Sequence, residues 1–293
     1  IFYLITFPYI FDTFILYFIF LCPQCLEILI CTINKGVVRI LDNLPEPREG
    51  VSYIVAYQYT DERYWELIPE QLTARKDVML AKHKGVGLSA NRNFALRLAT
   101  ADVVVFADDD ARFSNEGLDV IQKTFEEHPE LDVAFFQAST YTGRPLKDYP
   151  QKPYNYGDLP KDMQISALEK ACRRTSIQGR LQYDERFGLG TKMFACGEEQ
   201  IWLTDAERLG LQMKYFPIKI VETSTMLKQL MVYVDPCVQR AYGAISYYRY
   251  GGRARWMCLK YALRASRQGK AHFLSMLRYM YEGIHLIKKP HKQ

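Results

Sequence analysis

The stretch Val103-Val104-Val105-Phe106-Ala107-Asp108-Asp109-Asp110 decides how the rest of the chain is read. Its run of β-branched and aromatic apolar residues reads as a strand buried on both faces. The strand ends on three adjacent carboxylates, which repel one another, so a fold tolerates them where something positive compensates. Hard divalent cations prefer oxygen ligands, and Mg²⁺ is usually held by one or two carboxylates plus substrate phosphates. In open α/β sheets ligands sit at the carboxyl ends of strands, where these three fall. A solvated acidic turn is the other reading of the same residues.

Working back from this strand, Gly85 and Gly87 precede Leu88-Ser89-Ala90-Asn91-Arg92-Asn93, where a helix opens and runs to about Leu98. Before it come a short strand at Val78–Ala81 and a longer one at Val51–Tyr57, closed by Gln58-Tyr59-Thr60-Asp61. Pro45 and Pro47 break the chain after the apolar stretch Val38–Leu44. Leu26–Asn34 is a buried strand whose end, Asn34-Lys35-Gly36, supplies a turn.

Working forward, Asn115–His128 reads as a helix capped near Ser114, followed by a strand at Val133–Ala138. Tyr141–Pro160 is a long irregular segment, and long loops in compact domains are often functional. Met163–Arg173 reads as a helix with basic residues in its last turn. Tyr183–Gly190 and Cys196-Gly197-Glu198-Glu199-Gln200 lead into a helix from Gln200 to Leu209, and Leu211–Val221 supplies further strand. Acids suit a helix N-terminus on electrostatic grounds alone, so capping is one reading of the Glu198–Glu199 pair. Strands alternating with helices and ending in polar tips read as an α/β sheet with a nucleotide-type site.

The chain has 293 residues, room for one large domain or two small ones. Its net charge of +5 hides an asymmetry. From Gln239 onward twelve Lys and Arg face one acid, Glu282, whereas the chain before it carries a net −6. Such a basic tail suits phosphates, of lipid head groups or nucleic acid. The tail has helical patterning in which Arg253, Arg255, Lys260, Arg264 and Arg267 alternate with Trp256, Leu259, Tyr261 and Leu263. A basic, aromatic amphipathic segment can lie in the interface of an anionic membrane; a helix packed on the domain with a solvated basic face is the alternative. The lone Cys22-x-x-Cys25 pair lacks a second pair to complete a zinc site, and the scattered cysteines read as reduced thiols.

Residues Ile1–Cys22 are almost all Phe, Ile, Leu and Tyr, with a length that suits a membrane span. Asp12 and Pro8 count against one. Two readings stand: an anchor, or a start set too early in AT-rich sequence, with the folded chain beginning near Leu26. The expected organisation is a hydrophobic segment over 1–25, a catalytic domain over 26–235 and a basic helical tail over 236–293.

Taken in order over roughly Leu26 to Thr225, these pieces resemble the family 2 glycosyltransferases of GT-A fold, a Rossmann-like mixed sheet flanked by helices. Thr32-Ile33-Asn34 is similar to the family's opening nucleotide-binding strand. Gly87-Leu88-Ser89-Ala90-Asn91-Arg92-Asn93 resembles its Gly-x-Ser-x-Ala-Arg-Asn helix start, with Asn91 where Ala is usual. Phe106–Asp110 resembles its Asp-x-Asp metal motif. Phe187–Gly190 with Gly197-Glu198-Glu199 resembles its acceptor-side loop and catalytic acid pair. Two positions depart from the pattern. The usual Asp after the second strand is absent, leaving Gln58 or Asp61 to read the base. The usual His metal ligand is also absent, the matching stretch being Val221-Glu222-Thr223-Ser224-Thr225.

The resemblance implies an inverting transferase that moves a sugar from a nucleotide-diphosphate donor, UDP-type, to a glycan or lipid-linked acceptor. It implies Mg²⁺ or Mn²⁺ on Asp110 and Asp108, with Glu222 as a substitute third ligand. Thr32, Asn34, Gln58, Arg92, Asn93, Asp108 and Asp109 would meet the donor. Glu199 would be the general base, with Glu198 orienting it or the acceptor. The expected location is the cytoplasmic face of a membrane, with the membrane surface as a partner and no nucleic acid. A nucleotidyltransferase also uses strand-end carboxylates and a metal, but Asn34-Lys35-Gly36 is thin for its Gly-rich basic loop. A catalytically silent binding protein on the same fold is the remaining alternative, kept open by the missing His.

Overall fold

The computed structural model describes residues 25–160, 163–224 and 231–289. The hydrophobic N-terminal run, including Cys22, therefore lies outside the described residues. One mixed sheet carries the fold, with strand order β3-β2-β1-β4-β8-β6-β9-β5 and β7 paired to β9. The strands are β1 (Leu26–Ile33), β2 (Val51–Tyr59), β3 (Val78–Lys84), β4 (Val103–Asp108), β5 (Arg112–Phe113), β6 (Val133–Thr140), β7 (Tyr154–Asn155), β8 (Lys170–Arg173) and β9 (Met213–Thr223). The first four are mutually parallel, with Cys31 opposite Ala56 and Asp108. The register brings the ends of β1, β2 and β4 to one edge of the sheet, where the polar residues that follow them gather.

β1 and β4 are buried along almost their whole length, because helices and loops cover both faces of the sheet. On one face Ile28, Val55, Val105, Leu118, Ile121 and Phe125 share a core. On the other, Phe106, Phe135, Tyr183, Trp202 and Tyr215 pack together. The flanking helices are α1 (Leu88–Leu98), α2 (Asn115–Glu127) and α3 (Glu198–Arg208). α2 starts as the sequence indicates, with Ser114 Oγ accepting the Gly117 N–H at 3.1 Å.

One element differs from the sequence reading. Met163–Arg173 is not a helix: Ala167–Glu169 form a single 3₁₀ turn and Lys170–Arg173 the strand β8. β8 runs antiparallel between β4 and β6. That slot demands extended backbone with both faces buried, and tertiary pairing overrides a helical local pattern.

The C-terminal part comprises α4 (Pro236–Tyr250), α5 (Ala254–Arg267) and α6 (Phe273–Ile287). They share a core of Ala254, Cys258, Ala262, Met276, Met280 and Ile284. Gly243 and Gly283 let α4 and α6 touch backbone to backbone: a Cβ on either would sit 1.9 Å from a carbonyl oxygen of the other helix. α4 also contacts the chain around Phe187 and Phe194 and the start of α3 through a cluster that joins Ala241 and Ala244 to Phe187, Phe194 and Ile201. Among the described residues no helix is long and apolar enough to cross a membrane, and the cysteines are free thiols.

Candidate functional site

A cavity of about 340 Å³ opens at the carboxyl ends of β1, β2 and β4. Thr32, Gln58, Asn91 and the three aspartates form its floor, and Val86, Gly87, Leu189 and Gly190 form its rim. Cys31 also lines it, and burial pushes its thiol up to about 12, so it stays protonated and inert.

The three aspartates have three different environments. Asp109 Oδ2 accepts the Thr32 hydroxyl at 2.6 Å, and its Oδ1 pairs with Arg39. Burial raises its carboxyl, against the pull of Thr32 and Arg39. Asp110 is nearly buried and accepts a hydrogen bond from Ser224 Oγ. Its carbonyl accepts Tyr141 O–H at 2.5 Å, which ties the start of the long loop to the site. Asp108 keeps 43% of its side chain exposed, and its Oδ1 lies 3.5 Å from an Arg92 nitrogen. Desolvation by the pocket walls raises its carboxyl, Arg92 lowers it, and the charges of Asp110 and Glu199 raise it again.

Arg92 is buried at the centre of this electrostatic arrangement. One guanidinium nitrogen faces Asp108, and the other lies 3.5 Å from Glu198 Oε1 and 3.0 Å from Glu199 Oε1. α1 holds it there. Ser89 Oγ donates to the Phe187 carbonyl at 2.6 Å, and Leu88 N–H to the Leu189 carbonyl at 3.0 Å, so the 187–190 loop is fastened to the first turn of α1. Gly188 and Gly190 adopt φ of +105° and +80°, which side chains avoid, and a Cβ on Gly190 would reach 2.9 Å from Val86.

The two glutamates at the start of α3 are not equivalent. Glu199 Oε2 receives Lys170 Nζ at 2.7 Å, while its Oε1 receives Tyr183 O–H at 2.9 Å and Arg92 at 3.0 Å. Lys170 is fully buried, donates also to Tyr183 Oη at 2.9 Å, and stands 3.6 Å above the Trp202 ring. Burial alone would raise the Glu199 carboxyl, but Lys170, Arg92 and Tyr183 hold it below the usual range. Glu199, the residue expected as base, is thus the more tightly engaged of the two carboxylates. Glu198 pairs with Arg92 and with its own backbone N–H, has no lysine or tyrosine partner among the described residues, and lies beside the Gly188 loop. Burial pushes its carboxyl up, Arg92 pulls it down and Glu199 pushes it up again, leaving it above the usual range.

Other expected site residues are held by partners within the fold. Asn34, at φ +50°, accepts the Thr60 N–H at 2.9 Å and so ties the end of β1 to the end of β2. Asn93 pairs with the Tyr183 backbone at 2.8 and 2.9 Å and with Glu185 at 3.1 Å. Glu222 is bonded by Lys219 Nζ at 2.7 Å; the side chain from this segment that meets Asp110 is Ser224. Asp61 caps the turn that begins at Glu62 and pairs with Arg63. Gln58 lines the cavity at 3% exposure, with its amide in no hydrogen bond among the described residues.

Two residues escaped the sequence reading. Lys170 was assigned to a helix, and nothing local marks a lysine for full burial. Asn91 is the departure from the Ala of the motif. Its Nδ2 donates to the carbonyls of Thr32 and Ala56 at 3.2 and 2.9 Å, and its Oδ1 accepts from His83 Nε2 at 2.8 Å. It thereby fixes the floor of the cavity across three strands.

The chain has counterparts among known proteins. Residues 38–188, just over half of the chain, match the family described as Glycosyl transferase family 2. The chain belongs to that family. Among solved structures, this glycosyltransferase is similar in fold to TarS of S. aureus. It matches TarS 1-349 in complex with UDP-GlcNAc at TM-score 0.57 and 12% identity, covering 89% of this chain and 91% of that one. The complex of TarS 1-349 with UDP matches at TM-score 0.58 and 13% identity, over the same shares. A longer TarS structure matches at TM-score 0.56 and 13% identity, covering 88% of this chain, which spans 55% of the TarS chain. No curated protein gives a significant match. The fold is thus the GT-A, Rossmann-like mixed sheet flanked by helices that the sequence indicates, with the C-terminal helices in place.

Proposed function

We propose that this glycosyltransferase transfers a sugar from a nucleotide-diphosphate donor of uridine type to a glycan or lipid-linked acceptor, with inversion. The observation that carries the reading is Arg92, whose guanidinium lies 3.5 Å from both Asp108 and Glu198. It couples the strand-end carboxylates, where a pyrophosphate would sit, to the acid on the acceptor side. The UDP and UDP-GlcNAc bound to structures of like fold support the class of donor.

In this reading Glu198 is the general base. It is partly accessible, its carboxyl is raised, and it adjoins the Gly188 loop that resembles the acceptor side. Taking the acceptor proton as the hydroxyl attacks the anomeric carbon is worth typically about 10²–10⁴-fold. Glu199, locked by Lys170 and Tyr183, orients Arg92. Gln58 faces the base, its amide able both to donate and to accept.

Asp108 and Asp110 fit Mg²⁺ or Mn²⁺: both offer hard oxygen donors, and their neighbouring charges, which raise the Asp108 carboxyl, leave negative charge to be balanced. Such an ion would stabilise the charge of the departing pyrophosphate. The Glu222 carboxylate is bonded to Lys219, so in this reading substrate phosphate oxygens or water complete the set. The outer face of α5, with Trp256 and Leu263 exposed beside Lys260, suits docking on an anionic membrane surface, which supports a place at the cytoplasmic face.

Steady-state transfer with the Glu198→Gln and Glu199→Gln variants tests the reading. Glu198→Gln should bind donor normally and lose about 10²-fold or more in transfer. If it transfers at the wild-type rate, Glu198 is not the base.

A further inference from the structure

A second cavity, of about 470 Å³, lies away from the strand ends, where Gln164 meets the C-terminal helices. Tyr233, Tyr242, Tyr261, Arg264 and Lys270 line it with Gln164. Its size is within the range of about 300–1,000 Å³ common to small-ligand sites. Tyr242 and Tyr261 stack with ring centres 6.0 Å apart, and Lys270 Nζ stands 5.2 Å from the centre of the Tyr233 ring. Gln164 reaches the Tyr242 hydroxyl at 3.4 Å.

The charge of this groove is one-sided. Neither Arg264 nor Lys270 has an acid partner among the described residues. The lone acid beyond Gln239, Glu282, is already engaged by Arg240 at 2.9 Å and Arg278 at 3.0 Å. Two cations with no acid partner among the described residues, set beside three tyrosines, match a ligand that is anionic and also has apolar faces. A saccharide bearing carboxylate or phosphate groups has both: its C–H faces pack on the rings, its hydroxyls meet the phenol and amide groups, and its anions meet Arg264 and Lys270.

The position also connects this groove to the chemistry. Ile245 packs on Gly197, where an added Cβ would come within 2.5 Å of it, and Gly197 immediately precedes Glu198. Tyr242 lies three residues before Ile245 on α4, about 4.5 Å along the helix axis and on a neighbouring position of the same face. We infer that this groove is a binding site for an anionic saccharide, holding a part of the acceptor remote from the reacting hydroxyl. The acceptor role rests on the function proposed above; the binding itself does not.

The test uses the full chain and calorimetry without donor. A galacturonate tetramer and glucose 6-phosphate are the anionic probes, and a neutral glucose tetramer is the control. The wild type should bind the anionic probes and not the control, more weakly as salt rises. Arg264→Gln/Lys270→Gln, two exposed positions that the fold tolerates, should weaken binding about tenfold or more, the scale of one charge-assisted hydrogen bond. Tyr261→Ala should weaken the tetramer more than the monosaccharide. UDP affinity should stay unchanged in every variant, and that measurement separates failure here from failure of the donor site. Equal binding of the neutral and anionic tetramers, or unchanged binding by the double variant, overturns the inference. So does a double variant that loses phosphatidylserine vesicles while keeping the saccharide, since the groove would then be part of a membrane face.

Discussion

Lys170 Nζ lies 2.7 Å from Glu199 Oε2, and the lysine side chain is wholly removed from solvent. This pair joins β8 to α3 beneath the cavity and leaves Arg92 to face Asp108 and Glu198. Removing Glu199 strands the buried Lys170, and removing Lys170 leaves the buried Glu199 to Arg92 and Tyr183 alone. Lys170→Met should therefore cost about 3–5 kcal/mol of stability, read by denaturant unfolding. The pH dependence follows from the lowered Glu199 carboxyl. Its stabilisation is fully present above the ordinary glutamate pKa and is lost as pH falls through the lower folded value. In the wild type, stability should fall steeply in acid below about pH 4; in Glu199→Gln that part of the slope should be missing.

If Glu198 is the base, as proposed, its raised carboxyl sets the acid limb of activity. Because a base must be ionised, transfer should decline as pH falls through a pKa above the ordinary glutamate value of about 4.3. A pH profile of kcat/KM should show this limb, and Glu198→Gln should flatten it along with the lost rate.

Gly36 is set against Asp109. A Cβ there would stand 2.0 Å from Asp109 Oδ2 and 2.4 Å from Thr32 Oγ1. Gly36→Ala should push Asp109 away from Thr32 and Arg39 and weaken UDP binding by about tenfold, a loss near 1.4 kcal/mol. Calorimetry with UDP measures it, and wild-type affinity in the variant would show that Asp109 does not shape the donor site.

Metal dependence should be carried by Asp110 and Asp108. Chelation should abolish nucleotide-sugar turnover, and Mn²⁺ should restore it. Asp110→Asn should remove the Mn²⁺ enhancement of UDP binding while leaving a folded protein, because the fold holds these acids close without needing their repulsion. Full activity in excess EDTA would refute the metal role.

The membrane surface should be met by the outer face of α5. Trp256→Ser/Lys260→Ser should lower sedimentation with phosphatidylserine vesicles, each basic residue near such a surface being worth about 1 kcal/mol. Surface substitutions are the right probe, since α4 packs on the loops around Phe187 and Ile201 and removing the tail would expose that cluster. Unchanged sedimentation of the variant would place the contact elsewhere.

The sequence by itself determined the strands β1 to β4, the helix start at Leu88, the cap at Ser114 and the carboxylates at the end of β4. Each of these is written locally: an unbroken apolar run, a glycine before a polar helix turn, a serine at an N-cap, a strand ending in acids. Tertiary structure decided the rest. Glu198 and Glu199 are chemically the same residue at the same helix start, and successive helix positions point about 100° apart. One therefore turns to the Gly188 loop and the other to Lys170, whose own place depends on pairing between β4, β8 and β6. Glu222 and Ser224 stand in the same stretch, yet only the folded chain sends Ser224 to Asp110 and Glu222 to Lys219. Local pattern fixes what a residue can do, but its charge state and its partner come from segments distant in sequence, because electrostatics and burial act through space and not along the chain.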